Sequence, residues 1–456
     1  MPKTKTFRFN KIYIDDKWKN DFYITIDNSG QIISFDKSEV FVEIEGLTLP
    51  GFQNTHSHSF QYAMAGLAEH LGQNASQDDF WIWRNNMYKL ALALTPEQFQ
   101  AIAAMLYCQM IQHGITQVVE FHYLHHDKNG SPFANQAEMS LRLFEAAKMA
   151  GINITLVPIF YQKGGFNKAA EPSQTRFLSK NLDSYLSLWD LVHIASKDYA
   201  SAKLGYGIHS LRAVEPDTIK EMLSQIEEIP FHIHIAEQQK EVDDCKAALG
   251  AEPIDWLLEN CDVNKNYHLV HATHMQQATC DNLADSGATV VICPSTEGNL
   301  GDGFFRLKQF RQSGGKISIG TDSNIALSPF EDIRWLDYGQ RLLSQKRNVL
   351  CDSPGQDSGS SIFKEVWHAG RNAAGYEKSA YFSIGRSLDA VIIDEESPTL
   401  IQKPDDHLLS SIIYSGDQSM IKSTIVSGKT TYTNKSQTNY SQILSGYKKA
   451  MSEVYK

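Results

Sequence analysis

The sequence predicts a distorted parallel (β/α)8 barrel carrying a small β-sandwich domain assembled from both chain termini. Three observations predict it. Eight short apolar runs of strand character alternate with helical stretches between residues 47 and 321, the order of a parallel barrel more than of a doubly wound sheet. Polar residues recur where these runs end, on the rim where barrels build active sites. The two ends of the chain read instead as short strands, which bury little without a partner sheet.

Size and composition fit this reading. The 456 residues suffice for a large barrel with insertions. Hydrophobic residues at 42% and charged residues at 21% are those of a globular enzyme, not of a disordered or fibrous chain. A net charge of −11 argues against nucleic acid and against an anionic membrane surface as partners. No apolar run approaches the roughly 18 residues of a membrane span. Residues 1–10 are polar and basic without an apolar export core. The six cysteines are scattered without a C-x-x-C pair, which predicts reduced thiols and a cytoplasmic location.

In chain order, Phe7, Phe9, Ile12–Ile14 and Phe22–Ile26 alternate as antiparallel strands, followed by a turn at Asn28-Ser29-Gly30 and a further strand from Ile32 to Phe35. The barrel strands are expected at 47–57, 116–123, 152–160, 204–209, 231–236, 267–271, 289–293 and 317–321. Helices are expected among them at 96–113, 136–149, 216–228, 276–286 and 304–312. The stretch 352–361 reads as loop, and 387–394 and 421–429 as strands that return to the N-terminal ones. The small β domain is thus expected at 1–48, the barrel at 49–375, and the second part of the β domain, with a helical tail, at 376–456.

The first barrel strand ends in His56-Ser57-His58. Positions i and i+2 of a strand share a face, so both imidazoles can reach one ion. The fifth strand carries His232 and His234, which also share a face, so spacing alone leaves either as a third ligand. The sixth ends at His271, and the eighth runs into Asp322. Three imidazoles and a carboxylate suit a borderline divalent ion such as zinc, with a position left for water. A closed structural site would have no need of His271 and Glu237 beside it.

The segments LPGFQNTHSH, HIHIAEQ, LVHATH and GTDSN resemble the amidohydrolase superfamily in its mononuclear-metal deaminase branch. Within that branch HSHSFQYAMAGLAE, FWIWRNNMY, VVEFHYLHHD, GYGIHSLRAV, CPSTEGNLGDG and SNIALSPFEDIRWLDYGQRL are similar to the formimidoylglutamate deiminases, over residues 47–350. The sequence departs from them at Gly298 and at Phe304-Phe305-Arg306. The resemblance implies hydrolytic deimination of N-formimino-L-glutamate in histidine degradation by a homodimer with one metal ion, zinc or alternatively iron. It implies His56, His58, His234 and Asp322 as ligands, so that His234 is chosen over His232. A lysine that would bridge two ions has no counterpart in Gly207-Ile208-His209-Ser210. Glu237, His271 and Asp322 would move protons. Arg84 and Arg212 would hold the two substrate carboxylates, guanidinium being suited to a bidentate fork, with Tyr123 and His209 near the α-carboxylate and Gln61 near the formimino group. The alternatives are another deaminase of the branch acting on a nucleobase or aromatic amine, and a barrel that has lost its chemistry.

Overall fold

The structure is a computed structural model that describes residues 4–70, 80–226, 228–377 and 380–456. Its centre is a parallel sheet that curls into a nearly closed barrel. The strands are β1 (Phe52–Ser57), β2 (Ile115–His122), β3 (Asn153–Phe160), β4 (Tyr206–Ile208), β5 (Phe231–Ile235), β6 (Tyr267–His271), β7 (Thr289–Ile292) and β8 (Lys316–Ile319). Each falls on an expected run. Strand β4 is preceded by Ala202–Leu204, which pairs with the start of β3, and Gly205 separates the two pieces.

The barrel closes between β8 and β1 through a few bonds rather than a full ladder. The amides of Thr321 and Asp322 both donate to the His56 carbonyl, at 3.0 and 2.9 Å, and the His58 amide donates to the Asp322 carbonyl at 3.0 Å. Asn54 reinforces the seam by donating from Nδ2 to Thr321 Oγ1 at 2.7 Å. Gly320 makes this approach possible, because a Cβ there would meet the His56 Cβ at 2.7 Å and its backbone N at 2.9 Å. Gly320→Ala is therefore expected to cost about 1–3 kcal/mol by overpacking, read as a fall in Tm, and to disturb the strand carrying His56.

Both chain ends build a second sheet, in the order Ser436–Gln437, Lys429–Thr433, Ile421–Val426, Ala390–Ile393, Val42–Pro50, Lys5–Ile14, Lys17–Ile26, Ile32–Ser34. Its halves meet where Val42–Pro50 pairs antiparallel with Ala390–Ile393. Among the described residues its one parallel pairing is between Lys5–Ile14 and Val42–Pro50. The first hairpin turns through Asp15 and Asp16, with φ of 54° and 58°, the left-handed pair that a two-residue turn between twisted strands requires.

Several expected elements change at their ends. The single run 47–57 divides at Gly51, so that Val42–Pro50 belongs to the terminal sheet and Phe52–Ser57 to the barrel. A side chain at 51 would strike Thr116 within 2.8 Å, so glycine fits at the point where the chain passes from one sheet to the other. The run 421–429 likewise divides into two strands about Ser427-Gly428, both at positive φ. Helix 304–312 begins only at Leu307, and helix 216–228 ends at Gln225, Glu227 lying outside the described residues. The loop expected over 352–361 yields at its end to helix Ser358–Ala373, capped by the Asp357 carboxylate accepting from the Ser360 amide at 2.8 Å.

Candidate active site

At the C-terminal rim of the barrel the Nε2 atoms of His56, His58 and His234 lie 3.0–3.2 Å from one another. Asp322 Oδ1 stands 3.3 Å from His56 Nε2 and 3.2 Å from His58 Nε2. All four residues are buried. The tautomers are set from behind, since His58 Nδ1–H donates to the Phe121 carbonyl at 2.9 Å and His234 Nδ1–H to the His209 carbonyl at 3.0 Å. Their Nε2 lone pairs therefore face inward with a carboxylate, a donor set suited to a divalent cation. Burial lowers His56 to about 3, which keeps its imidazole neutral as a ligand must be. The cluster could hold one metal ion.

His232 takes no part in it. Its Nε2–H donates to the Ala373 carbonyl at 3.1 Å, and its ring stacks on His268 at 4.7 Å. It shares a strand face with His234 but lies one layer away from the rim.

The backbone is strained where it aims these groups. Ala236, His271 and Asp322 have φ of 52°, 71° and 44°, left-handed values costing on the order of 1–3 kcal/mol each for a residue with a Cβ. Each lies at or just past the end of its strand and turns the chain inward. His271 Nδ1–H donates to Glu297 Oε1 at 3.2 Å, and the same oxygen accepts from the Cys293 amide at 2.8 Å. That leaves His271 Nε2 facing Glu237 at 3.7 Å and Asp322 at 3.9 Å. Burial opposes charge on His271, but Glu237, the bond to Glu297 and Asp322 together raise it to about 10. Burial is also the main cause that raises Glu237 to about 7, within reach of a proton exchange near neutral pH.

One cavity joins these groups to the residues expected to bind substrate. Its wall includes His58, His234, Glu237, His271 and Asp322, together with Gln61, Tyr123, His209, Arg84 and Arg212. Gln61, on the 3-10 turn Ser59–Met64, donates from Nε2 to Tyr123 Oη at 3.0 Å, while its Oε1 has no partner among the described residues. Arg84 comes from helix Phe80–Ala93, its guanidinium 4.5 Å from the Trp81 ring and 5.3 Å from that of Tyr88. Arg212 follows β4 in the turn Leu211–Ala213, 6.0 Å from the Trp81 ring. The Nε of each arginine is buried without a hydrogen-bond partner among the described residues.

Sequence reasoning assigned no role to Glu297, Asp302 or Glu120. Glu297 and Asp302 lie in the CPSTEGNLGDG segment after β7, and the signal that could have found them is two acids close behind a strand end. Glu120 is buried on β2, where it accepts from the Ser59 amide at 2.6 Å and so ties down the turn after His58.

The amidohydrolase family model matches residues 47–431. The chain is 42% identical over 386 residues to a formimidoylglutamate deiminase of Pseudomonas aeruginosa, covering 84% of each chain. It is 22% identical over 394 residues to a 5-methylthioadenosine/S-adenosylhomocysteine deaminase of Natronomonas pharaonis, covering 85% of this chain and 82% of the relative. Among solved structures, an amidohydrolase from Brucella melitensis superposes with a TM-score of 0.92 at 37% identity over 99% of this chain and all of that one. The fold alone is shared with a guanine deaminase from C. acetobutylicum, with a TM-score of 0.74 at 18% identity over 94% of this chain and 100% of that one. With a rim of imidazoles and carboxylate at the strand ends and a family match running through the whole barrel, the chain belongs to the amidohydrolase family.

Proposed function

We propose that this protein hydrolyses N-formimino-L-glutamate to N-formyl-L-glutamate and ammonia, the deimination step of histidine degradation. The observation that carries the reading is that His58, His234 and Asp322, three of the four residues clustered with His56, share one cavity wall with Arg84 and Arg212. A neutral heterocycle gives no reason to place two guanidiniums there, whereas a substrate with two carboxylates does. The 42% identity to the Pseudomonas deiminase supports the same choice over a nucleoside deaminase.

The ion proposed is zinc, held by those four residues, where it would act as a Lewis acid and make water a nucleophile near neutral pH. Asp322 takes the proton of the attacking water, and His271, kept cationic by Glu237, Glu297 and Asp322, stands 3.9 Å from that carboxylate to stabilise its charge. Glu237, beside His271, delivers a proton to the imino nitrogen; the C–N bond then breaks, ammonia leaves with that nitrogen, and the carbon keeps the water oxygen as a formyl group. Gln61 orients the formimino end, and Arg212 with His209 and Tyr123 holds the α-carboxylate. Arg84 takes the other carboxylate from helix Phe80–Ala93. That helix also supplies Phe80, Trp83, Met87 and Tyr88 to the cavity wall.

The test is ammonia release from N-formimino-L-glutamate beside adenine, guanine, cytosine and 5-methylthioadenosine. Turnover of a neutral base as fast as that of the formimino compound would replace this reading with the general deaminase one. Arg84→Met or Arg212→Met is expected to lower kcat/KM by about 10² or more with metal content unchanged, since each removes a charge-assisted pair and strands a desolvated carboxylate. Lysine at either position should recover only part, having no planar fork.

A further inference from the structure

Arg176 follows the 3-10 turn Pro172–Gln174 in the loop between β3 and helix Leu182–Ser196, and its side chain is fully buried. Among the described residues that side chain bonds only main-chain carbonyls. Nη1 donates to Ala91 at 2.6 Å and to Leu94 at 2.8 Å, and Nε donates to His126 at 2.8 Å. The first two bonds close the C-terminal end of helix Phe80–Ala93, which carries Arg84. In a continuing helix the Ala91 carbonyl would accept from the Thr95 amide, but that amide donates to Gln98 Oε1 at 2.9 Å in the cap of the next helix. A guanidinium from another loop takes its place, and a cation suits the negative end of a helix. Burial lowers Arg176 to about 10, so it keeps that charge at neutral pH. The third bond reaches the segment after β2, which begins with Tyr123 and whose His125 and His126 amides both donate to the Arg176 carbonyl at 3.0 Å. Phe177 packs in the same gap, its ring 5.6 Å from that of Tyr88 and 5.2 Å from that of Tyr123.

We propose that Arg176 is a positioning residue for substrate binding, which ties the Arg84 helix to the Tyr123 segment and so holds Arg84 at the distance and direction where the second carboxylate arrives. The inference rests on the proposed function and deepens it, by naming what sets the spacing of the two carboxylate sites. Arg84 reaches the cavity on that helix, whereas Tyr123, His209 and Arg212 reach it from the ends of barrel strands. The Arg84 guanidinium lies against the rings of Trp81 and Tyr88, which belong to its own helix, and forms no ion pair among the described residues. Its aim therefore follows the helix, and a planar fork depends on aim. A misplacement of about 1 Å, even by a change remote from the chemistry, can cost about 10²-fold. Arg176 is not in the cavity wall and acts through Arg84.

The experiment compares R176M and R176K with wild type, all metal-loaded, on N-formimino-L-glutamate and on N-formimino-L-2-aminobutyrate, which keeps the formimino group and the α-carboxylate but lacks the second carboxylate. Expected for the glutamate compound is a fall in kcat/KM of about ten-fold or more in R176M, carried by KM with kcat within about three-fold. The fall in R176K should be smaller, since an ammonium keeps the charge but cannot reach all three carbonyls. The aminobutyrate compound should change by less than about two-fold, as for a site it does not use, and metal content should not change. Equal losses on both compounds, loss of metal or an unmoved KM would each overturn the proposal. Should R176M not fold, the double variant R84M/R176K decides: R176K should cost less than about two-fold once Arg84 is gone, and additive losses overturn the proposal. Amide hydrogen exchange of R176K, read without substrate, should rise over helix Phe80–Ala93 and stay at the wild-type level on β1 and β5; unchanged exchange over that helix overturns the tether. Wild-type ammonia release from N-formimino-L-glutamate tests the proposed function separately, since the exchange measurement reads the tether whatever the substrate proves to be.

Discussion

His234→Ala is expected to lose the metal and with it essentially all ammonia release, a fall of more than about 100-fold, whereas His232→Ala is expected to leave metal content near that of wild type. The two residues are two apart on one strand and chemically identical, so the contrast isolates position. His234 Nε2 stands 3.0 Å from that of His56, and its ring is held in the ligating tautomer by the His209 carbonyl. Deleting it leaves two imidazoles and a carboxylate, and its effect should exceed the 10–100-fold affinity loss typical of removing a group that only orients a ligand. His232 spends its Nε2–H on the Ala373 carbonyl, so its loss leaves that carbonyl unpaired and opens space beside His268. The variant should therefore unfold at a lower temperature while binding its metal. Elemental analysis of the purified variants, alongside their melting curves, decides this, and equal metal loss in both would refute the assignment on β5.

Glu237→Gln is expected to keep its metal and lose about 10²-fold or more in kcat, the scale of a general acid–base contribution. The amide has the size of the carboxylic acid and can still accept a hydrogen bond, but it cannot give up and regain a proton within one cycle. The surroundings of Glu237 suit that exchange, since burial raises its carboxyl to about 7 while His271 Nε2 lies 3.7 Å away. Because Glu237 stands outside the four-residue cluster, metal content separates this role from ligation. Normal turnover by the amide variant would remove Glu237 from the proton path. Loss of metal along with turnover would make it a ligand instead.

The sequence by itself determined the alternation of strand and helix, and with it the barrel, because burial on both faces of a parallel strand leaves a continuous apolar run that is a local property of the chain. It also determined which residues end those runs. His56, His58, His271 and Asp322 could be read as rim residues because the rim is simply the C-terminal end of each strand. It could not choose between His232 and His234 by spacing, since both obey the period of two; the choice depends on depth in the barrel, set by the Ala373 carbonyl arriving from helix Ser358–Ala373. Nor could it divide 47–57 at Gly51, because an extended backbone continues unbroken from one sheet into the other and only the approach of Thr116 marks the boundary. The resemblance implied that Arg84 and Arg212 act together, but only the tertiary structure carries Arg84, on a helix more than 100 residues before β4, into the same wall as Arg212. It alone brought Asp302 behind Glu237, joined by Gln238 across 64 positions of chain. Loops have no period to read, so their side chains acquire a role only when the strands that anchor them have closed.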